Sequence, residues 1–313
     1  MTVNKNRDLG RQTILLAIGW LAALPALSVN HVALAAEKKP KVLIIGIDGC
    51  RPDALAKAKT PALDELTAAG VLLKAENLPD RRTGGETTSH PMWFSILTGV
   101  WPDKHGIRRG WYKKERHNKR YPHFFARLKS KDANLVTASV SSWRGIRRHM
   151  VSAADINEYV EGDEPTERRA IEVAADPKTD VLFVHFGDPD LAGHKHGFSP
   201  IVRAYIAAIE ATDPRVGRLV QAVRHRQTYK DENWLILVTT DHGGKGTTHT
   251  SRGEVPEIRN VFVIASGLSV QKDSAPGIVH TVDVAATALA HMGVKLNPAW
   301  RLDGKPVGLK EDG

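Results

Sequence analysis

Three stretches of this chain, 41–48 (KVLIIGID), 181–190 (VLFVHFGDPD) and 234–243 (WLILVTTDHG), are apolar, rich in β-branched residues and free of polar alternation, and each ends in acid. A strand with one face in water places a polar side chain at every second position. A run without that alternation reads as a strand buried on both faces, as in a parallel sheet covered by helices. Helical patterns fall between the runs. One is 61–70, with Gly70 placed to cap it. Another covers roughly 200–225, where Ile201, Tyr205, Ile209, Val216 and Leu219 share an apolar face and Pro214 is expected to kink or split the helix. A further strand is expected at 260–266 and a helix at 282–293. The fold class that follows is α/β, a mostly parallel central sheet flanked by helices on both faces. A chain of 313 residues suits one large domain of this kind and buries enough apolar surface to need no disulfide. Its single cysteine, Cys50, excludes an intrachain disulfide framework and a multi-cysteine zinc site; its expected role is packing. The less regular, more charged segment 108–150 reads as an insertion near the site.

Residues 1–35 read as a secretory signal. Lys5, Arg7 and Arg11 precede an apolar run, 13–27, and Ala33-Leu34-Ala35 offers the small-x-small pattern cut by signal peptidase. The run is shorter than the ~20 residues of a spanning helix, and Pro25 interrupts it. The expectation is therefore a domain over 36–313, exported to the periplasm or secreted, with no transmembrane anchor after cleavage. Losing three bases and one acid takes the net charge from +9 to +7. That balance favours anionic partners without choosing among them.

The acids at the run ends are Asp48, Asp190 (with Asp188) and Asp241. Ligands of open α/β sheets bind beyond the carboxyl ends of the strands, and acids gathered there repel one another unless a cation neutralises them. Taken singly, Asp48 and Asp241 could equally cap turns. The histidines alter that weighing. Asp190 and His194 stand four apart, on one face of a helical turn. His242 follows Asp241, and His249 follows in a glycine-rich loop. Carboxylate with imidazole suits zinc, and also manganese or iron.

The motifs GIDGCRPD (46–53), SHPMWFSILTGVWPDKHGI (89–107), DPDLAGHKHG (188–197) and TTDHGGKGTTH (239–249), with HTVDVAATALAHMGVKL (280–296) and LDGKPV (302–307), resemble the alkaline phosphatase superfamily. More narrowly, they resemble its nucleotide pyrophosphatase/phosphodiesterase branch, over about residues 41–307. That resemblance implies two divalent-cation sites. One uses Asp48, Asp241 and His242 and also touches the nucleophile; the other uses Asp190, His194 and His249. Two ions ~4 Å apart can clamp both oxygens of an in-line displacement and offset phosphoryl charge. It also places the nucleophile at Ser89, nine residues before Thr98 of the LTG motif, with Thr88 and Thr87 as alternatives. Physically, a hydroxyl at the start of a helix over 90–99 lies beside free backbone N–H groups that favour phosphate, although a serine there also serves as an ordinary N-cap.

The expected activity is phosphoester hydrolysis, by a phosphodiesterase, nucleotide pyrophosphatase or phosphatase, through a covalent intermediate on Ser89. The substrate would be a phosphorylated small molecule or envelope component. A sulfatase or phosphonate hydrolase of the same superfamily is the first rival. Sulfatases carry arginine where Trp93 stands, and an amide suited to calcium where His242 stands. A non-catalytic, metal-dependent binder of phosphorylated envelope components is the second. Where the branch often has an asparagine after HGI, this chain has Arg108-Arg109. Their guanidinium groups could bind phosphoryl oxygens and favour monoesters. The basic, aromatic-interleaved stretch 108–120 is read first as a solvated loop, so nucleic acid is not expected as a partner. His90, His105 and His196 lie near motif positions without an assigned catalytic role. Oligomeric state is left open.

Overall fold

In the computed structural model, the described residues are 37–109, 117, 119–250, 253–274 and 276–310. The signal-like segment, and residues 110–116 and 118 of the basic stretch, lie outside them. Seven strands make one sheet: β1 (Lys39–Ile47), β2 (Val71–Glu76), β3 (Val136–Ser141), β4 (Ile156–Tyr159), β5 (Thr179–Phe186), β6 (Glu232–Thr239) and β7 (Asn260–Gly267), paired in the order β2-β7-β6-β1-β5-β3-β4. β6, β1, β5, β3 and β4 run parallel, while β7 is antiparallel to both β6 and β2. Helices of eight residues or more are α1 (Pro61–Ala69), α2 (Ser89–Thr98), α3 (Phe124–Lys131), α4 (Asp163–Ala175), α5 (Asp188–His196), α6 (Arg203–Arg224) and α7 (Asp283–His291).

The first apolar run shows why the sheet is covered on both sides. Val42 and Ile44 of β1 enter one core with α2, α3 and α7; Leu43, Ile45 and Ile47 enter the other with α1, α4 and α6. Neither set reaches water, so no polar alternation survives in the sequence. Each such side chain contributes about 1.5–3 kcal/mol through burial. The other two runs, β5 and β6, flank β1 in parallel, with Ile47 opposite Phe186 and Gly46 opposite Thr239. Three acid-terminated strands are thus neighbours, and their carboxyl ends meet at one edge.

The elements differ from the sequence expectations in three places. The second and third runs leave the sheet before their aspartates: Pro189 enters the first turn of α5, where its missing N–H costs nothing, and 240–243 is loop. Pro214 does not divide α6, which runs unbroken for 22 residues. The packing of Tyr205, Ile209, Val216 and Leu219 on the sheet holds the helix across that position. Asp213 beside it accepts the N–H groups of Ala62 and Leu63 at the start of α1. Within 108–150, read as an insertion, α3 buries Phe124, Phe125 and Leu128, and β3 is an inner strand. From residue 124 onward this segment is part of the sheet layer.

At the opposite, amino-terminal edge of the strands lies a buried ion cluster. Lys41 is 2% exposed. Its Nζ lies 3.2 Å from both Asp180 Oδ1 and Glu232 Oε1, and donates to the carbonyls of Pro177 and Thr179. Burial alone would raise both carboxyls. Lys39 and Lys41 outweigh it at Asp180, and the Trp234 and Thr228 hydrogen bonds with Lys41 outweigh it at Glu232, so both lie below the ordinary range. Depressed carboxylate pKa values stabilise the fold above the unfolded-state pKa, and that contribution fades as pH falls through the folded-state pKa. Replacing Lys41 with Met leaves two buried carboxylates short of a partner. The expected loss is about 3 kcal/mol at neutral pH, measured by urea denaturation, and the deficit should shrink on acidification.

Candidate metal centre

Asp48 is the first residue beyond β1, fixed by its N–H to Phe186 O, 2.9 Å. Its two carboxylate oxygens are used differently. Oδ2 accepts from Trp93 Nε1 of α2 at 2.9 Å and lies 3.0 Å from His185 Nε2 at the end of β5. Oδ1 accepts from Ser89 Oγ, 3.3 Å, and stands 3.6 Å from His242 Nε2. Gly46 makes the Trp93 contact possible, since a Cβ there would fall 2.3 Å from the indole ring. Asp241 follows Thr240 at the end of β6 and is fully buried. Its Oδ1 accepts the Gly49 N–H, whereas Oδ2 has no hydrogen-bond partner and lies 3.2 Å from His242 Nε2. His242 Nδ1 donates to Gly243 O, 2.9 Å, which leaves Nε2 a bare lone pair facing Asp48, Asp241 and Ser89 Oγ (3.0 Å).

A second group adjoins the first. Asp190 and His194 sit one turn apart on α5, Oδ2 to Nε2 3.5 Å. His249 Nε2 lies 3.5 Å from Asp190 Oδ1 and 2.9 Å from His194 Nε2. His194 Nδ1 is committed to Thr247 O at 2.9 Å, so its Nε2 also presents a lone pair. The His242 and His249 rings stack with centroids 3.8 Å apart, joining the two groups.

The charge pattern follows from this crowding. Burial, reinforced by Asp48 and Asp190, pushes the Asp241 carboxyl well above its usual range. Burial and Asp48 do the same to Asp190. At Asp48 burial is overcome by the His185 hydrogen bond, by His242 and by Trp93, and its carboxyl is held well below the usual range. Burial pulls His242 down, and with His242's help pulls His249 down to about 2. Imidazole nitrogens of His242 and His249, beside buried carboxylate oxygens without a hydrogen-bond partner among the described residues (Asp241 Oδ2, Asp190 Oδ1), form a donor set suited to divalent cations. One set of three ligand atoms within 4.8 Å of one another is Asp48, Asp241 and His242; another is Asp190, His242 and His249.

The underside of the centre is tied by Arg51. Its Nη1 donates to Phe198 O, 2.7 Å, and Gly244 O, 3.0 Å, while Nε and Nη2 grip Asp53. The Phe198 ring meets His194 and His249 edge-on. Gly244 is required here, because a Cβ would fall 2.2 Å from that ring.

The centre floors a cavity of about 850 Å³ whose walls include Glu86, Thr88, Trp143, Tyr159, Glu161 and Leu191. The structure brings Asp48, Ser89, Asp190, His194, Asp241, His242 and His249 near one another, with His242, rather than the expected His194, in the compact triple with Asp190 and His249. Of the three candidate hydroxyls, Ser89 Oγ alone reaches the first group, donating to Asp48 Oδ1 with His242 Nε2 3.0 Å away; Thr87 donates instead to Asp80 Oδ1, 2.7 Å. Arg108 and Arg109 do not line the cavity. Arg108 lies against Gly84, and Arg109 is 66% exposed, its Nε 4.0 Å from Glu86. His90 lines the cavity, His105 is buried behind it against Ser95, and His196 is exposed. Cys50 is packed in the core, its thiol pushed up by burial. Sequence reasoning passed over His185 and the second role of Trp93. The available signal was a histidine inside a run otherwise buried and apolar, where a polar group needs a partner.

The type I phosphodiesterase / nucleotide pyrophosphatase family matches residues 42–295. Among curated proteins, the chain is 24% identical to ectonucleotide pyrophosphatase/phosphodiesterase family member 7 of Rattus norvegicus over 260 residues, 75% of this chain and 56% of that protein. It is 34% identical to the 2,3-bisphosphoglycerate-independent phosphoglycerate mutase of Natronomonas pharaonis over 167 residues, 50% and 30% of the two. The chain therefore spans 56% and 30% of the length of these relatives. Its fold resembles that of murine ectonucleotide pyrophosphatase/phosphodiesterase 5 (TM-score 0.63, 14% identity, 82% of this chain and 96% of that one). A 2-O GAG sulfatase has a TM-score of 0.64, also at 14% identity, over 86% and 73%. Among the described residues no helix is long and apolar enough to cross a membrane.

Proposed function

Since the chain belongs to the type I phosphodiesterase / nucleotide pyrophosphatase family, we propose that it is an exported, metal-dependent hydrolase of phosphodiesters that works through a covalent intermediate on Ser89. The observation that carries this reading is the position of Ser89 Oγ, within 3.3 Å of Asp48 Oδ1 and 3.0 Å of His242 Nε2 on the cavity floor. Asp48, Asp241 and His242 would hold one divalent cation, and Asp190, His194 and His249 a second; zinc suits these ligands, and manganese or iron also fits. When bound, such ions supply Lewis-acid charge that lowers a hydroxyl pKa and offsets charge on the phosphoryl group. Ser89 Oγ forms a bond to phosphorus as the bond to the leaving alkoxide breaks. The alkoxide takes up a proton equal to the one the serine gave to solvent. Water then cleaves the seryl ester, releasing a phosphomonoester and restoring the hydroxyl. Trp93 and His185 hold Asp48 by one oxygen, so that the other stays turned toward Ser89.

A diester fits better than a monoester. Among the described residues lining the cavity there is no lysine or arginine, while Glu86, Glu161 and Asp188 are present. A second phosphate charge therefore meets no cationic side chain among those described residues. Residues 1–35 would direct export to the periplasm or beyond. The test is turnover of bis-p-nitrophenyl phosphate, p-nitrophenyl phosphate and p-nitrophenyl sulfate by protein of known metal content. The diester should react fastest, with about two ions per chain. Faster sulfate hydrolysis would favour the sulfatase reading, and ion binding without any turnover would leave only a binding role.

A further inference from the structure

The residue before the nucleophile carries a hydroxyl that the fold does not use. Thr88 is the N-cap of α2, in extended conformation (φ −134, ψ 164), and its side chain makes no capping bond. An N-cap threonine ordinarily accepts the N–H of the second or third helical residue. Here the third is Pro91, which has none. Thr88 is 8% exposed, and its Oγ1 is buried without any hydrogen-bond partner among the described residues. Leaving a buried hydroxyl unsatisfied is destabilising, so packing alone would favour valine. The adjacent hydroxyls are engaged, Thr87 with Asp80 and Ser89 with Asp48 and His242. Thr88 lines the cavity beside Ser89. It does so at the start of a ten-residue helix whose first backbone N–H available to an internal carbonyl is Met92's, bonded to Thr88 O. The N–H groups before it attract anionic oxygen.

We propose that Thr88 Oγ1 is a phosphate-binding group, donating a hydrogen bond to a non-bridging phosphoryl oxygen held at the start of α2. This rests on the functional reading above and assigns Thr88 a role distinct from that of Ser89: Thr88 binds the group that Ser89 attacks. A donor aimed at developing phosphoryl charge is worth about 10² in rate.

The experiment compares wild type, Thr88→Val and Thr88→Ser, each with ions loaded. Calorimetry measures inorganic phosphate binding, thermal melting measures stability, and bis-p-nitrophenyl phosphate measures turnover. Valine keeps the β-branched shape and removes the unsatisfied oxygen. Thr88→Val should therefore melt at or above the wild-type temperature, while phosphate affinity falls about tenfold or more and kcat/KM falls about 10². Thr88→Ser should recover most of both. Phosphate affinity in Thr88→Val within about twofold of wild type, less than one lost hydrogen bond, overturns the proposal. So does a lowered melting temperature with unchanged phosphate binding, which would make the hydroxyl structural. A wild-type protein that holds its ions yet binds no phosphate overturns the functional reading itself, and this proposal with it.

Discussion

Ser89→Ala should lower kcat toward bis-p-nitrophenyl phosphate by about 10³ or more, equivalent to about 4 kcal/mol on the barrier, with melting temperature and metal content little changed. Stability should hold because Ser89 is the first residue of α2, where alanine is acceptable, and because its oxygen contacts, among the described residues, Asp48 and His242 of the centre. Metal content should hold because Asp48, Asp241 and His242 are untouched. The neighbouring hydroxyls cannot take over without rearrangement, since Thr87 would have to leave Asp80 and Thr88 makes no bond to either ligand. Acid quench of wild type during turnover should trap a p-nitrophenyl phosphoryl group, as a seryl diester, on the peptide containing Ser89. Full activity in Ser89→Ala would transfer the nucleophile to another group and remove the central claim of the functional reading.

Chelation should abolish the same activity by a similar factor, and zinc, manganese or iron added back should restore it in proportion to the ions bound. The reasoning is electrostatic. Asp190 and Asp241 are pushed toward the protonated form by burial and by Asp48, so each cation taken up replaces protons and relieves repulsion. Binding to the folded state alone also stabilises it, by about 2.7 kcal/mol at a hundredfold excess over Kd. The stripped protein should thus melt lower than the loaded one. Asp190→Ala should lose the ion of the second group and keep that of the first, read as a fall in metal stoichiometry. Turnover indifferent to exhaustive chelation, in protein shown to be free of metal, would exclude the two-ion scheme.

Much of this arrangement was visible in residue order. Strands buried on both faces have a distinctive composition, so β1, β5 and β6 could be placed, and the acids at their ends marked the carboxyl edge. Candidate ligands stood out as acids and histidines at short spacings, Asp190 with His194 and Asp241 with His242, and the family resemblance grouped them into two sets. What sequence could not supply were contacts made only in three dimensions. His185 reaches Asp48 because β5 lies beside β1. Arg51 ties Phe198 and Gly244, which are far from it along the chain. The irregular composition of 108–150 concealed β3, a short inner strand whose apolar residues are interspersed with Thr137, Ser139 and Ser141. At Pro214 the split that the sequence allowed does not occur, because the packing of a long amphipathic helix carries it across that position.

Each proposed ligand group is drawn from remote parts of the chain, Asp48 with Asp241 and His242 in one, Asp190 and His194 with His249 in the other. No proteolytic piece confined to a single βα unit contains either complete set. On the proposed function, cation capture would be a late event that reports on a finished sheet, and a chain exported before folding would have to find its metal in the compartment where it arrives.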